Sequence, residues 1–148
     1  MNIREAKPND LNEWAHMRNM LWPNSVETHK REIEAYFDGE SIDIVEALIL
    51  ENNESKPIGF IEINIRNFAE GSSNSKIPYI EAWYVSKKYQ GKGNGKALMS
   101  AAEKWVIENG YKELASDTEI SNTQSIEIHK KLGFKETERV VCFLKKLT

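Results

Sequence analysis

Three strand-like runs follow one another through the middle of the chain, IDIVEALILEN, PIGFIEINIRN and PYIEAWYVS, and polar segments join them. The first two are rich in β-branched residues, and ENNESKP between them has the Asn, Ser and Pro content of a hairpin connection. FAEGSSNSKIP is a polar loop leading to the third. That run has large apolar groups on both faces, the pattern of a central strand covered on each side, with Glu81 as its one exception. A sheet is therefore the frame. Before it, NIREA alternates like a short strand; Asp10 can cap a helix through Leu11, Trp14, Met17, Arg18 and Leu21, stopped by Pro23. A second helical stretch runs from Ser25 through Val26, Ile33, Tyr36 and Phe37 to Gly39. After the sheet, Ala97, Leu98, Ala101, Ala102, Trp105 and Val106 recur with helical spacing, closed by Asn109-Gly110. ELASD reads as a short strand, and SNTQSIEIHKKL as a helix capped by Ser121 or Asn122 and closed by Gly133. The remainder to Leu147 reads as one or two strands. The order β-α-α-β-β-β-α-β-α-β predicts an α/β chain with a mixed sheet and helices on both faces.

At 148 residues, one domain spanning 1–148 is expected, too short for a cofactor domain plus a separate substrate domain. Lys and Arg total 20 against 23 Asp and Glu, a balance that argues against a general nucleic-acid binder. The start MNIREAKPND lacks a signal pattern, and no apolar run approaches the roughly 18 residues that span a bilayer. A soluble, cytoplasmic protein without a membrane partner is the expectation. Cys142 is the only cysteine, which excludes an internal disulfide, and its flanks Val141 and Phe143 predict a buried thiol. His16 and His29 have no ligand spacing, so no metal is expected.

Chemistry concentrates in SKKYQGKGNGKAL, residues 86–98, which holds three glycines and four lysines between a strand and a helix. A P-loop is excluded because Gln90 stands where its first glycine belongs and Ala97 where Ser or Thr belongs. The dinucleotide fingerprint fails at Lys96, where a third glycine is needed. What remains is Gln90-x-x-Gly93-x-Gly95. Successive N–H groups in such a turn form an anion-binding concavity, backed by the helix dipole and rimmed by Lys87, Lys88, Lys92 and Lys96. On spacing alone, an ordinary glycine loop is the equal alternative.

VSKKYQGKGNGKALM resembles the pyrophosphate-binding motif of the GNAT acetyltransferase superfamily, Q/R-x-x-G-x-G/A between its fourth strand and third helix. The element order and SNTQSIEIHKKLGF extend that resemblance over nearly the whole chain. It implies a mostly antiparallel mixed sheet whose fourth and fifth strands splay apart to admit acetyl-CoA. It also implies cofactor contacts from Gln90, Gly91, Lys92, Gly93, Asn94, Gly95 and Lys96, with Asn122 nearby, and a thioester polarised by the main chain around Val85. MRNMLWPNS, YIEAWYV, ELASDTEISN and LGFKETERVV are similar to aminoglycoside 6′-N-acetyltransferases. That closer resemblance makes Glu81, Asp117 and Glu138 the acidic positions facing the drug, Trp22 a wall, and Asp117 the base. It implies a homodimer too, with VVCFLKKL as an edge that can pair or exchange. One departure stands out: His129 occupies the place of the tyrosine that in many superfamily members protonates the departing thiolate.

Residue chemistry supports an acceptor carrying several ammonium groups. A charge pair at about 4 Å and an effective dielectric near 20 is worth up to roughly 4 kcal/mol before desolvation. The same attraction favours the unreactive ammonium, and deprotonating an ordinary alkyl amine at pH 7 costs roughly 4 to 5 kcal/mol. A site must therefore accept that proton on a carboxylate while others hold the remaining ammoniums. Each residue also has an ordinary role open to it: an ion pair for Glu81, a turn or cap for Asp117, a solvated face for Glu136 and Glu138, a core aromatic for Trp22. Acetylation of a polyamine or protein amine, and a noncatalytic coenzyme A-binding module, are the alternative functions.

Overall fold

The computed structural model describes all residues, Met1–Thr148. Strand β1 (Asn2–Glu5) leads through a single 3₁₀ turn at Pro8–Asp10 into α1 (Leu11–Leu21) and α2 (Val26–Phe37). Strands β2 (Glu46–Glu51), β3 (Pro57–Arg66) and β4 (Ile77–Val85) follow, then α3 (Asn94–Glu108) and α4 (Thr123–Lys131). The strands form one antiparallel sheet in the order β1-β2-β3-β4. The Asn52 side chain holds the β2–β3 turn by accepting from the main-chain N–H groups of Glu54 and Lys56. Ser25 caps α2 by accepting from Thr28 N–H. No helix is long and apolar enough to cross a membrane.

Alternation along β2 and β3 sends apolar side chains to both faces, and each face finds a helical cover. Trp14, Ala15 and Met17 of α1 and Ile33 of α2 pack on Ile49, Phe60 and Ala82. On the other side Leu98, Met99 and Ala102 of α3 close over Leu50, Ile61, Ile63 and Ile80. Truncating a side chain such as Leu98, which is fully buried, costs about 2–5 kcal/mol in cores of this kind.

Several sequence-based expectations need correction. Asp10 precedes α1 but does not cap it; its carboxylate turns back to accept from Lys7 N–H and pairs with Arg4. β4 is an edge strand, because the segment expected to be its neighbour, ELASD, meets it only as a parallel bridge between Tyr79 and Ala115. The bridge has two hydrogen bonds, Ile80 N–H to Ala115 O and Ala115 N–H to Pro78 O, each 2.9 Å. A register shift explains why it stops there. Glu62 faces Ala82 while Ile63 faces Ile80, so Glu81 is an extra, bulged residue that bends β4 away beyond Ile80. The C-terminal strand is not formed either. Residues 135–148 have no regular structure, since a strand needs a neighbour's main chain and this segment has none within the chain. Its side chains are bare: Phe143 is 92% exposed, and Cys142 is an exposed thiol rather than a buried one.

One ionisable group lies at the centre of the core. Glu62 is buried, accepts from Trp14 Nε1–H at 2.9 Å, and lies 3.2 Å from Arg18 Nε. Arg18 also pairs with Glu32 across α2, yet its Nη1 is buried without a partner. Burial pushes the Glu62 carboxyl up to about 7, against the opposing pull of Arg18 and Trp14. Because that value lies above the ordinary 4.5, the stability from neutral Glu62 is full below about pH 4.5 and is lost as pH rises through about 7. Glu62→Gln stays neutral at every pH, so its stability relative to wild type should rise by about 2 kcal/mol between pH 5 and 8 in urea unfolding. A difference flat across that range would show that Glu62 keeps its charge when folded.

Candidate active site

The glycine-rich turn is built as an anion cradle. Gly91 and Gly93 adopt φ of +74° and +85°, a region that side chains with a Cβ rarely enter, and Gly93 stands at the head of α3. The main-chain N–H groups of Gly91, Lys92 and Gly93, and those of Asn94, Gly95 and Lys96 in the first helical turn, donate to no group of the protein; the first helical bond runs from Ala97 N–H to Gly93 O. The turn holds its shape through side chains instead. Asn94 Nδ2 donates to Tyr89 O at 2.9 Å, Gln90 Nε2 to Val85 O at 2.8 Å, and Trp83 Nε1 to Gly95 O at 3.0 Å. Unpaired donors at the positive end of a 15-residue helix suit a diphosphate. Val85 sits where β4 has left its neighbour. Since N–H and C=O of one strand residue point the same way, its N–H shares the open edge on which its carbonyl meets Gln90. Asn122 caps α4, accepting from Ser125 N–H at 3.1 Å, and so lies outside the turn.

A cleft of about 970 Å³ lies beside the first half of β4, the Ala115 segment and the C-terminal residues, lined among others by Arg66, Tyr79, Asp117, His129 and Glu138. Asp117 and Glu138 are thereby brought together, both exposed. Glu81 is not bare. Its Oε2 accepts from Asn64 Nδ2 at 2.8 Å and from Arg66 Nε at 3.1 Å, and Arg66 Nη2 takes Oε1. The Arg66 guanidinium also lies 3.6 Å above the centre of the Tyr79 ring. Tyr79 in turn donates its hydroxyl to Asp117 Oδ2 at 2.7 Å. Burial raises the Tyr79 phenol above its ordinary value, and the Asp117 carboxylate raises it further, so it remains a donor. A continuous chain, Glu81–Arg66–Tyr79–Asp117, thus crosses the floor. Glu136 is spent on Arg139, which lies within hydrogen-bond distance, whereas Glu138 has no cationic partner.

Trp22 does not line this cleft. It closes α1, with its carbonyl accepting from His29 Nε2 at 3.0 Å and its ring 5.5 Å from the Arg18 guanidinium. Arg18 joins it to Glu62, placing Trp22 at the far end of the polar row that β3 presents toward α1 and α2. His129 is held between the rings of Trp83 and Phe134. Its Nδ1 lies 2.7 Å from Ser125 O, a carbonyl that only accepts, so Nδ1 carries the proton and Nε2 accepts from the Ser116 hydroxyl at 2.8 Å. In that arrangement it has no proton to give on the cleft side. Arg66, Tyr79 and Asn64 escaped the reading of the sequence. Their trace was the polar residues at every second place of β3, Glu62, Asn64 and Arg66, an unusual row in a strand otherwise apolar.

The model of the acetyltransferase (GNAT) family matches residues 12–134. The chain is 34% identical to the aminoglycoside N(6′)-acetyltransferase type 1 of Stenotrophomonas maltophilia, over 95% of this chain and 90% of that one. A crystal structure of an aminoglycoside antibiotic 6′-N-acetyltransferase from Acinetobacter haemolyticus superposes with a TM-score of 0.88, at 31% identity over the whole of both chains. A related enzyme in complex with the bisubstrate analogue CoA-S-monomethyl-acetylneamine matches with a TM-score of 0.84 and 32% identity, covering 98% of this chain and 97% of that one.

A Cβ at Gly93 would meet nothing within 4 Å, so Gly93→Val acts through backbone strain alone. That strain is about 1–2 kcal/mol, and relieving it moves the N–H groups of the turn. Calorimetric titration with coenzyme A should then show affinity about 10-fold weaker. Unchanged affinity would remove this turn from the binding site.

Proposed function

We propose, from the premise that this chain belongs to the GNAT acetyltransferase family and within it groups with the aminoglycoside 6′-N-acetyltransferases, that it transfers acetyl from acetyl-CoA to the 6′-amine of aminoglycoside antibiotics and so confers resistance to them. The observation that carries this is the presence on one domain of a cradle of free N–H groups, Gly91 to Lys96, and a cleft that brings Asp117 and Glu138 together. The donor supplies an activated acetyl group as its thioester. Residues 1–148 are read as one such domain.

The residues divide the work by charge. N–H groups at the head of α3 hold the diphosphate, with Lys92 and Lys96 at the rim, while Val85 N–H meets the thioester oxygen and stabilises the charge that develops there. Asp117 and Glu138 hold ammonium groups of the acceptor. Asp117 Oδ2 is occupied by Tyr79, so Oδ1 takes the proton of the reacting amine, directly or through one water. The nitrogen then attacks the carbonyl carbon and sheds a second proton to solvent, the C–S bond breaks, and coenzyme A leaves as thiolate. An ordinary thiol has a pKa near 8.5, so that thiolate takes its proton from water without a dedicated acid. This fits a His129 whose ring nitrogens are both engaged. No nucleophilic cysteine enters, and Cys142 lies on the C-terminal arm. Glu81, held by Arg66, sets the negative background of the pocket more than it contacts an ammonium directly, and Trp22 packs on Arg18 outside the cleft.

We also assign a homodimer joined through the C-terminal arm. Val141, Phe143 and Leu144 are 79%, 92% and 90% exposed, an apolar set that a partner's sheet edge would cover. We read the enzyme as cytoplasmic, a reading that its coenzyme A-dependent reaction and single unpaired cysteine support.

Kanamycin or tobramycin added with acetyl-CoA should release free thiol, and Asp117→Ala should lower kcat about 100-fold while coenzyme A affinity holds. No thiol release with either drug, despite coenzyme A binding, would overturn the enzymatic reading. Removing residues 140–148 should convert a dimer into a monomer in sedimentation equilibrium; a dimer that persists would take the arm out of the interface.

A further inference from the structure

Asp117 stands on a stretch with little main-chain support. Only Ala115 of its segment bridges to the sheet, residues 116–119 have no helical or strand structure, and Asp117 itself is exposed. Its carboxylate nevertheless has a fixed partner. Tyr79 is 3% exposed, its ring is packed with Ala69 and Ile77, and the Arg66 guanidinium lies flat against it at 3.6 Å. Arg66 cannot drift, because Glu81 holds it through two hydrogen bonds. Three residues of β3 and β4 thus aim one hydroxyl at one carboxylate oxygen.

We propose that Tyr79 is a positioning residue for the acetyl transfer: its hydroxyl, braced by Arg66 and Glu81, holds the Asp117 carboxylate so that Oδ1 faces the acceptor nitrogen. This rests on the reading of Asp117 as the proton acceptor. Without the hydroxyl, an exposed aspartate rotates among its rotamers, and the fraction of enzyme with Oδ1 in place falls. Substrate binding suffers less than turnover, because the ammonium-holding charge stays in the cleft while its orientation is lost. Tyr79 and Glu81, two positions apart on β4, both reach Arg66 on β3.

Tyr79→Phe keeps the ring, the stacked guanidinium and the packing, and removes one oxygen. At saturating acetyl-CoA its kcat should fall about 10-fold, the worth of one hydrogen bond to a charged group, with KM for acetyl-CoA and the thermal midpoint unchanged. Asp117→Asn tests the underlying reading, and its residual rate should not fall further when Tyr79→Phe is added. Turnover retained in Asp117→Asn would overturn the role of Asp117 itself. Turnover lost there but intact in Tyr79→Phe would overturn the positioning role alone. A 10-fold loss in Tyr79→Phe that recurs in the Asp117→Asn background would show the hydroxyl acting by another route, and would overturn it as well.

Discussion

One surplus residue in β4 governs the geometry of everything functional in this protein. A strand that kept its register past Ile80 would continue to pair with the Ala115 segment, and its edge would be closed. The bulge at Glu81 turns the strand instead, so the main-chain edge of Val85 has no strand beside it while its side chain stays buried in the core. The cradle stands at the head of α3, and the acidic cleft lies beside Tyr79 and Asp117. Packing secures the sheet on both sides, with α1 and α2 over one face and α3 over the other.

The electrostatic problem of acetylating an ammonium-rich acceptor is that carboxylates bind it and also suppress its reactivity. In this fold the acids are not equivalent. Glu62 is buried beneath the sheet with Arg18, Glu81 is answered by Arg66 and Asn64, and Asp117 is held by a neutral phenol. Asp117 and Glu138 line the cleft without a cationic partner, as do Glu70, Glu103 and Glu113, and Lys112, Lys130 and Lys135 line it beside them. Graded compensation lets the site attract cations without flooding the reacting nitrogen with negative potential.

Much of this was legible in the amino-acid order. The hairpin β2–β3 followed from turn residues and β-branching, α2 and α3 from periodicity and their closing glycines, and the cradle from Gly91, Gly93 and Gly95. Asp117 and Glu138 were identified as acidic positions facing one ligand, and they share a cleft. What stayed hidden depends on register or on absent neighbours. Arg66 and Glu81 are 15 residues apart, and only a ladder offset by one places them in contact. Tyr79 read as an apolar filler of a central strand because nothing local shows that its hydroxyl reaches across to Asp117. The C-terminal run has the β-branched and aromatic content of a strand, but pairing requires a second main chain, and no property of VVCFLKKL supplies one.

The lysine rim around the cradle has a consequence for how the two reactants arrive. The chain carries a net charge of −3, yet Lys87, Lys88, Lys92 and Lys96 crowd the turn at the head of α3, while Asp117 and Glu138 line the cleft beside Tyr79. In the proposed reaction, a polyanionic donor and a polycationic acceptor meet opposite local charges on the same molecule. Neither competes for the other's landing place, and traffic of both kinds slows together as ionic strength rises.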